Sequence, residues 1–193
     1  MKRTVLAMAV GVVGGLAALT SAQGQGLIQL DNYASSGNLV SYLGSPIGTG
    51  YTVGLYWVAG SVVGSIANDP SGTADPATLG GGLQLATGPN STTPTSGGGY
   101  FSATGNFQLT GVSAGQQATF EVIAYNGASY SAATIRGHSG AFAMAVGSGS
   151  PTVQVGLGMP AFSCFTVAAV PEPATFALAG LGGLSLLLFR RRK

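Results

Sequence analysis

Between residues 25 and 170, apolar and polar side chains alternate in short runs separated by turn residues, the signature of half-buried β-strands. Leu27 to Tyr33 is the first such run. In Tyr51 to Val58, Val53, Leu55 and Trp57 share one face, and Thr52 and Tyr56 share the other. Ser61 to Ala67 is predicted to pair back through an Ala59-Gly60 turn. The stretch from Asn68 to Asn90 carries Asp69-Pro70, Asp75-Pro76 and Gly80-Gly81-Gly82, and reads as loop with a short strand near Leu83 to Ala86. Ser91 to Gly99 is Ser, Thr, Pro and Gly, and reads as a surface loop.

The second half is more regular. Phe107 and Leu109 alternate with polar residues. Ala118, Phe120, Val122 and Ala124 line one face of a strand whose other face carries Thr119, Glu121, Ile123 and Tyr125, so this strand is predicted to be central. Asn126-Gly127 is a turn dipeptide, and Ser131 to Arg136 reads as one helical turn. Phe142, Met144 and Val146 alternate, as do Val153, Val155 and Leu157, and Phe162 to Val167 completes the set. About eight strands with turns every 8 to 15 residues, roughly, predict an all-β fold: an antiparallel β-sandwich with Greek-key links. A jelly roll or small barrel is the alternative.

Composition supports strands and turns. Gly occurs 33 times and only 6% of residues are charged, yet 46% are hydrophobic, which is not the profile of a disordered chain. The formal net charge of +2 is misleading, because Lys2, Arg3, Arg190, Arg191, Arg192 and Lys193 all sit at the ends. Between Gln23 and Val170 the charges are Asp31, Asp69, Asp75 and Glu121 against Arg136, a net of −3. A body without a basic face excludes nucleic acid as a partner. The one cysteine, Cys164, allows no internal disulfide and is expected to be a small core residue.

The ends differ from the body. Lys2 and Arg3, the apolar run Val5 to Leu19, and Thr20-Ser21-Ala22 have the order of a secretory signal, with cleavage after Ala22 by signal peptidase. At the other end, Val170-Pro171-Glu172-Pro173 precedes an apolar run from Ala174 to Phe189 and then Arg190-Arg191-Arg192-Lys193. The prolines forbid a continuing helix or strand. The run would extend about 24 Å as a helix, a little short of the roughly 30 Å hydrocarbon core. The terminal cations favour the cytoplasmic side, so both ends place residues 23–169 across the membrane. The chain therefore divides into a signal peptide (1–22), a β-sandwich ectodomain (23–169) and an anchor segment (170–193), with helices flanking the strands.

The C-terminal arrangement resembles the PEP-CTERM sorting domain of Gram-negative bacteria. The resemblance implies processing by an exosortase, with Pro171, Glu172 and Pro173 as the recognition element. The apolar helix with Arg190, Arg191, Arg192 and Lys193 would be the retention signal. It also implies passage through the inner membrane, delivery to the cell surface or beyond, and a link to extracellular polysaccharide and biofilm matrix. The segments Gly50 to Tyr56, Phe120 to Tyr125 and Gly137 to Phe142 are similar to small secreted proteins with the same tail, a resemblance that implies no activity.

No motif in the body makes an active site. Gly137-His138-Ser139-Gly140-Ala141 looks like the nucleophile elbow of α/β-hydrolases. However, His138 is the only histidine and directly precedes the serine, whereas the triad needs a later one. One His and one Cys cannot hold zinc. The Asp69–Asp75 loop lacks the alternating acids of a calcium loop, and its acids beside proline read as turn formers. No motif pairs Asp31, Asp69, Asp75 or Glu121 as a glycosidase would, and no lysine follows the glycine runs as a phosphate loop requires. The sequence thus predicts a non-enzymatic surface or matrix protein without metal or cofactor. The alternative is a carbohydrate-binding module for exopolysaccharide in which Tyr56 and Trp57 contact sugar, against the reading that Trp57 fills the core.

Overall fold

The computed structural model describes residues 25–33, 38–147, 159 and 161–170. Among these residues eleven strands form: β1 (Gln25–Asp31), β2 (Val40–Tyr42), β3 (Ser45–Pro46), β4 (Tyr51–Ala59), β5 (Gln84–Leu85), β6 (Thr92–Gly97), β7 (Tyr100–Ser113), β8 (Gln117–Asn126), β9 (Ile135–His138), β10 (Phe142–Ala145) and β11 (Phe165–Ala169). The helical content of the described residues is two 3-10 turns, Val63–Ser65 and Pro76–Thr78.

The all-β class is as expected, but the strands join in one mixed sheet rather than two. The order is β1-β7-β6-β4-β8-β9-β11-β2-β3, with β10 on β8 and β5 on β4. Every ladder is antiparallel except β11 on β2. The sheet also rolls onto itself. Leu27 and Gly147 exchange backbone hydrogen bonds of 3.0 and 2.9 Å, so β1 meets the exit of β10 and closes a ring through β8, β4, β6 and β7. Long strands explain the continuity. β7 pairs with β1 on one edge and with β6 on the other. β8 pairs with β4 along nine residues and with β9 and β10 along its far edge. Register shifts in the β1–β7 and β6–β7 ladders supply the added twist that lets one sheet curl.

The two faces of β8 separate two cores. Phe120, Val122 and Ala124 point inside, where they meet Ile28, Leu30, Val53, Leu55, Phe101, Leu109, Phe162 and Val167. Ile123 and Tyr125 point outside and join Tyr56, Leu83, Tyr130 and Ala133. Each fully buried Phe or Leu contributes about 1.5–3 kcal/mol, so the inner cluster dominates stability. Phe162 is its aromatic hub, with Phe101, Phe142 and Phe165 at centroid distances of 5.8, 6.3 and 6.0 Å. Asn32 is fully buried beside it. Its amide donates to the carbonyls of Asn38 and Gly99 at 2.9 and 3.0 Å, and its side-chain oxygen accepts from the Phe101 N–H at 2.8 Å.

Several expectations change. Ser91 to Gly99 is not a surface loop but contains β6, with Thr93 and Thr95 buried. Threonine serves there because its hydroxyl finds carbonyls: Thr95 donates to Gly48 at 2.8 Å and Thr93 to Ser102 at 3.0 Å. Ser61 to Ala67 is not a strand, and only Ile66 bridges, to Gly80. Ser131 to Arg136 is not a helical turn, since Ile135 already begins β9. Cys164 is exposed rather than buried, because it precedes β11, whose inward positions fall to Phe165 and Val167. The short strand near Leu83 to Ala86 is present as β5. Asn126 ends β8, and Gly127 takes a positive φ of 94° at the start of an eight-residue connection to β9 rather than forming a tight hairpin turn with it. The flanking helices and the Val153–Leu157 strand lie outside the described residues. Among those residues no helix is long and apolar enough to cross a membrane.

Candidate functional site

The body has few charges, and most of them gather in one place. Asp69, Asp75, Glu121, Arg136 and His138 all sit on the outer face of β4, β8 and β9 or on the strap that crosses it, residues 60–80. The strap is drawn down by the outer core. Ile66 packs against that cluster and Pro76 is buried.

His138 owes its position to a bulge. Ile123 pairs with His138, whereas Phe120 pairs with Phe142, so two residues of β8 face three residues between β9 and β10. Ser139 fills the irregularity. Its N–H donates to the Val122 carbonyl at 2.8 Å, and its hydroxyl accepts from the Val122 N–H at 3.0 Å while donating to the Gly140 carbonyl at 2.9 Å. The hydroxyl of the apparent nucleophile elbow is therefore fully buried and bonded into the sheet.

The imidazole of His138 lies between two carboxylates. Its Nε2 is 3.1 Å from Asp69 Oδ2, and its Nδ1 is 2.8 Å from the Ser139 carbonyl and 3.3 Å from Glu121 Oε2. Every oxygen facing the ring is an acceptor when the carboxylates are ionised, so both nitrogens must carry protons. Burial alone would lower the His138 pKa. The Glu121 carboxylate, the Ser139 carbonyl and Asp69 outweigh it and push the value up to about 9. Among the described residues Glu121 Oε2 has no partner in hydrogen-bond geometry, and the His138 ring, 3.3 Å away, is its ion-pair partner.

Asp69 is an organiser of the strap. Burial works to raise its pKa, but hydrogen bonds from the Ala74 N–H, the Ser71 hydroxyl, His138 and the Ser71 N–H hold it well below the usual carboxylate range. Its oxygens accept at 2.8 Å from Ala74, 2.7 and 2.9 Å from Ser71, and 3.1 Å from His138. Those bonds occupy the lone pairs a cation would need. Among the described residues no group of three His, Cys, Asp or Glu is arranged to hold a metal.

Three more bonds seal the strap to the sheet. The His138 N–H donates to the Gly72 carbonyl at 2.9 Å, Arg136 Nε to the Thr73 carbonyl at 2.8 Å, and the Tyr130 hydroxyl to the Ala74 carbonyl at 3.0 Å. The Arg136 guanidinium also stacks 5.0 Å above the Tyr130 ring. A cleft of about 330 Å³ remains between Ile66 and Asn68 of the strap and Gly140 and Ala141 of the bulge, with Asp69, Glu121 and His138 on its wall. Sequence reasoning did not join these residues. The available signal was Glu121, a lone charge in the middle of a strand apolar on both faces, which demands a buried counter-charge.

Tyr56 and Trp57 lie on opposite faces of β4. Tyr56 is buried in the outer core, where burial and the neighbouring Asp75 carboxylate raise its phenol well above the ordinary value. Trp57 is 8% exposed and packs in the inner core. Its remaining edge lines a separate cleft of about 380 Å³ with Gln84, Thr87, Gln108 and Thr110. Ala22, Pro171, Glu172, Pro173, Arg190, Arg191, Arg192 and Lys193 lie outside the described residues. The described chain reaches Val170, the residue before Pro171. Ala168 and Ala169 of β11 pair with Arg136 and Ile135, and the Val170 N–H donates to the Thr134 carbonyl at 2.9 Å.

No curated protein and no solved structure matches this chain. Its C-terminal end does match a family model, that of the PEP-CTERM protein-sorting motif, across residues 169–193. The chain therefore carries a PEP-CTERM sorting motif at residues 169–193, the signal for exosortase-dependent sorting of an exported protein.

Proposed function

We propose that this protein is a non-enzymatic component of the cell surface or extracellular matrix. In this reading the signal peptide is removed after Ala22. The chain passes through the inner membrane, and exosortase then acts at Pro171-Glu172-Pro173 while Arg190 to Lys193 hold the tail on the cytoplasmic side. The observation that carries the reading is the sorting motif, which begins where the last strand ends. A sheet with few charges, its polar side chains largely Ser, Thr, Asn and Gln, suits a role as packing material in a crowded matrix. Intact mass of the protein recovered from cells tests both processing steps together. Changing Pro171 and Glu172 to Ala should leave the C-terminal segment attached, and unchanged processing would refute recognition through this motif.

A second reading, binding of exopolysaccharide, draws on the Trp57 cleft, where an indole edge lies beside two amide and two hydroxyl side chains. Aromatic faces with amide donors are common chemistry for sugar rings. Gln84→Ala and Gln108→Ala change exposed side chains and keep the core, so they test the cleft without unfolding it. Binding to purified exopolysaccharide that falls at least tenfold in the double variant supports this reading, and equal binding removes the cleft from it.

A further inference from the structure

We propose that residues 60–80 form a strap latched by protonated His138 between Asp69 and Glu121, and that loss of the histidine proton releases the strap from the outer face of the sheet. The argument begins with geometry. Neutral imidazole carries one N–H, so one of its nitrogens would then face an oxygen lone pair at 2.8 Å or 3.1 Å. Deprotonation thus breaks at least one of the two bonds and leaves the buried Glu121 carboxylate without its cation.

The groups facing His138 from each packed element are few. β8 supplies Glu121, the strap supplies Asp69, and the bulge supplies the Ser139 carbonyl. Arg136 on the same strand points to the strap carbonyl of Thr73 and to Tyr130 and Ser131. Asp75 lies farther along the strap beside Tyr56. Arg136 is therefore engaged elsewhere and does not replace the lost charge. With His138 neutral, Asp69 and Glu121 face one another across an uncharged ring, and the strap relieves this by lifting Asp69 into water. The inner core holds none of these groups, so release uncovers the outer cluster and leaves the closed sheet in place. The raised His138 value places the transition on the alkaline side, near pH 9.

The test is nuclear magnetic resonance of the exported protein labelled with nitrogen-15, from pH 6 to pH 10. The His138 ring signals report the proton, and the amides of Gly72 and Ala74 report the strap. The expected result is that both titrate together near pH 9, while the amides of Val122 and Ala124 stay fixed. In His138→Gln the strap amides should show no such transition. In Glu121→Gln, which keeps the Asp69 contact, the transition should move toward the ordinary histidine value by about 1 pH unit or more. Ring titration that leaves Gly72 and Ala74 unmoved overturns the proposal. So does a strap transition that persists in His138→Gln, or one that coincides with loss of the Val122 and Ala124 signals.

Discussion

Gly137 lies where three backbones meet, and replacing it with alanine is the sharpest test of the packing described above. An added Cβ would sit 2.7 Å from the Thr166 carbonyl oxygen, 2.8 Å from Val167 Cα and 3.3 Å from the Gly72 carbonyl oxygen. Ordinary contact begins near 3.4 Å, so β11 would have to retreat by roughly 0.7 Å. All three neighbours are main chain, and none can yield by changing rotamer. Overpacking of this kind costs about 1–3 kcal/mol, and a weakened β9–β11 ladder places the expected loss at about 2–3 kcal/mol. Urea unfolding followed by Trp57 fluorescence measures it. With a slope of roughly 1–3 kcal/mol/M, the midpoint should fall by about 0.7–3 M. Gly140→Ala is the control, because its Cβ meets nothing within 4 Å. It should stay within about 0.5 kcal/mol of the parent. A Gly137→Ala midpoint as high as the control's would refute the close approach of β9 to β11 and to the strap.

Other outcomes follow from the same contacts. Phe162→Ala removes the hub of the inner aromatic cluster and should cost about 3–5 kcal/mol in the same urea assay. Asn32→Ala strips partners from the Phe101 N–H and the Gly99 carbonyl and should cost about 2–4 kcal/mol, with Phe101 and Gly99 amide signals the most shifted. His138 is raised from its ordinary 6.5 to about 9, so its contribution is complete below pH 6.5 and is lost as pH rises through 9. Thermal unfolding should therefore show on the order of 2–3 kcal/mol less stability at pH 10 than at pH 6 from this group; His138→Gln should lose that share and keep only the smaller alkaline loss from Tyr51, Tyr56, Tyr125 and Tyr130, whose phenols burial raises above their ordinary value. Asp69 acts in the opposite direction, contributing above its ordinary 3.8 and losing that contribution in acid.

The parts of the fold legible in the sequence were those whose side chains alternate strictly. β4 and β8 read correctly because Val53, Leu55 and Trp57, and Phe120, Val122 and Ala124, mark one face without interruption. β6 was hidden because its inward residues are Thr93 and Thr95, whose burial depends on carbonyls supplied by Gly48 and Ser102 from elsewhere in the chain. β2 and β3 are too short for any period to show. The rolled single sheet rests on one bridge between Leu27 and Gly147, residues 120 apart, which no local pattern encodes. The site was half visible. His138 and Ser139 stood out as a motif and Asp69 as a turn former, but their meeting needs the strap to cross β9. The sorting segment was legible throughout, because its order of prolines, apolar run and arginines is local.

The parallel pairing of β11 with β2 has a consequence for the order of events in a chain that emerges N-terminus first. Val40 to Tyr42 must wait for Phe165 to Val167, and β9 waits for the same strand on its outer edge. Until those final residues arrive, both partners present unpaired backbone, the kind of edge that invites aggregation. The sorting segment follows at once, so the moment that completes the domain is also the moment that presents it for delivery. An incompletely emerged chain would expose neither a finished sheet nor a signal to act on.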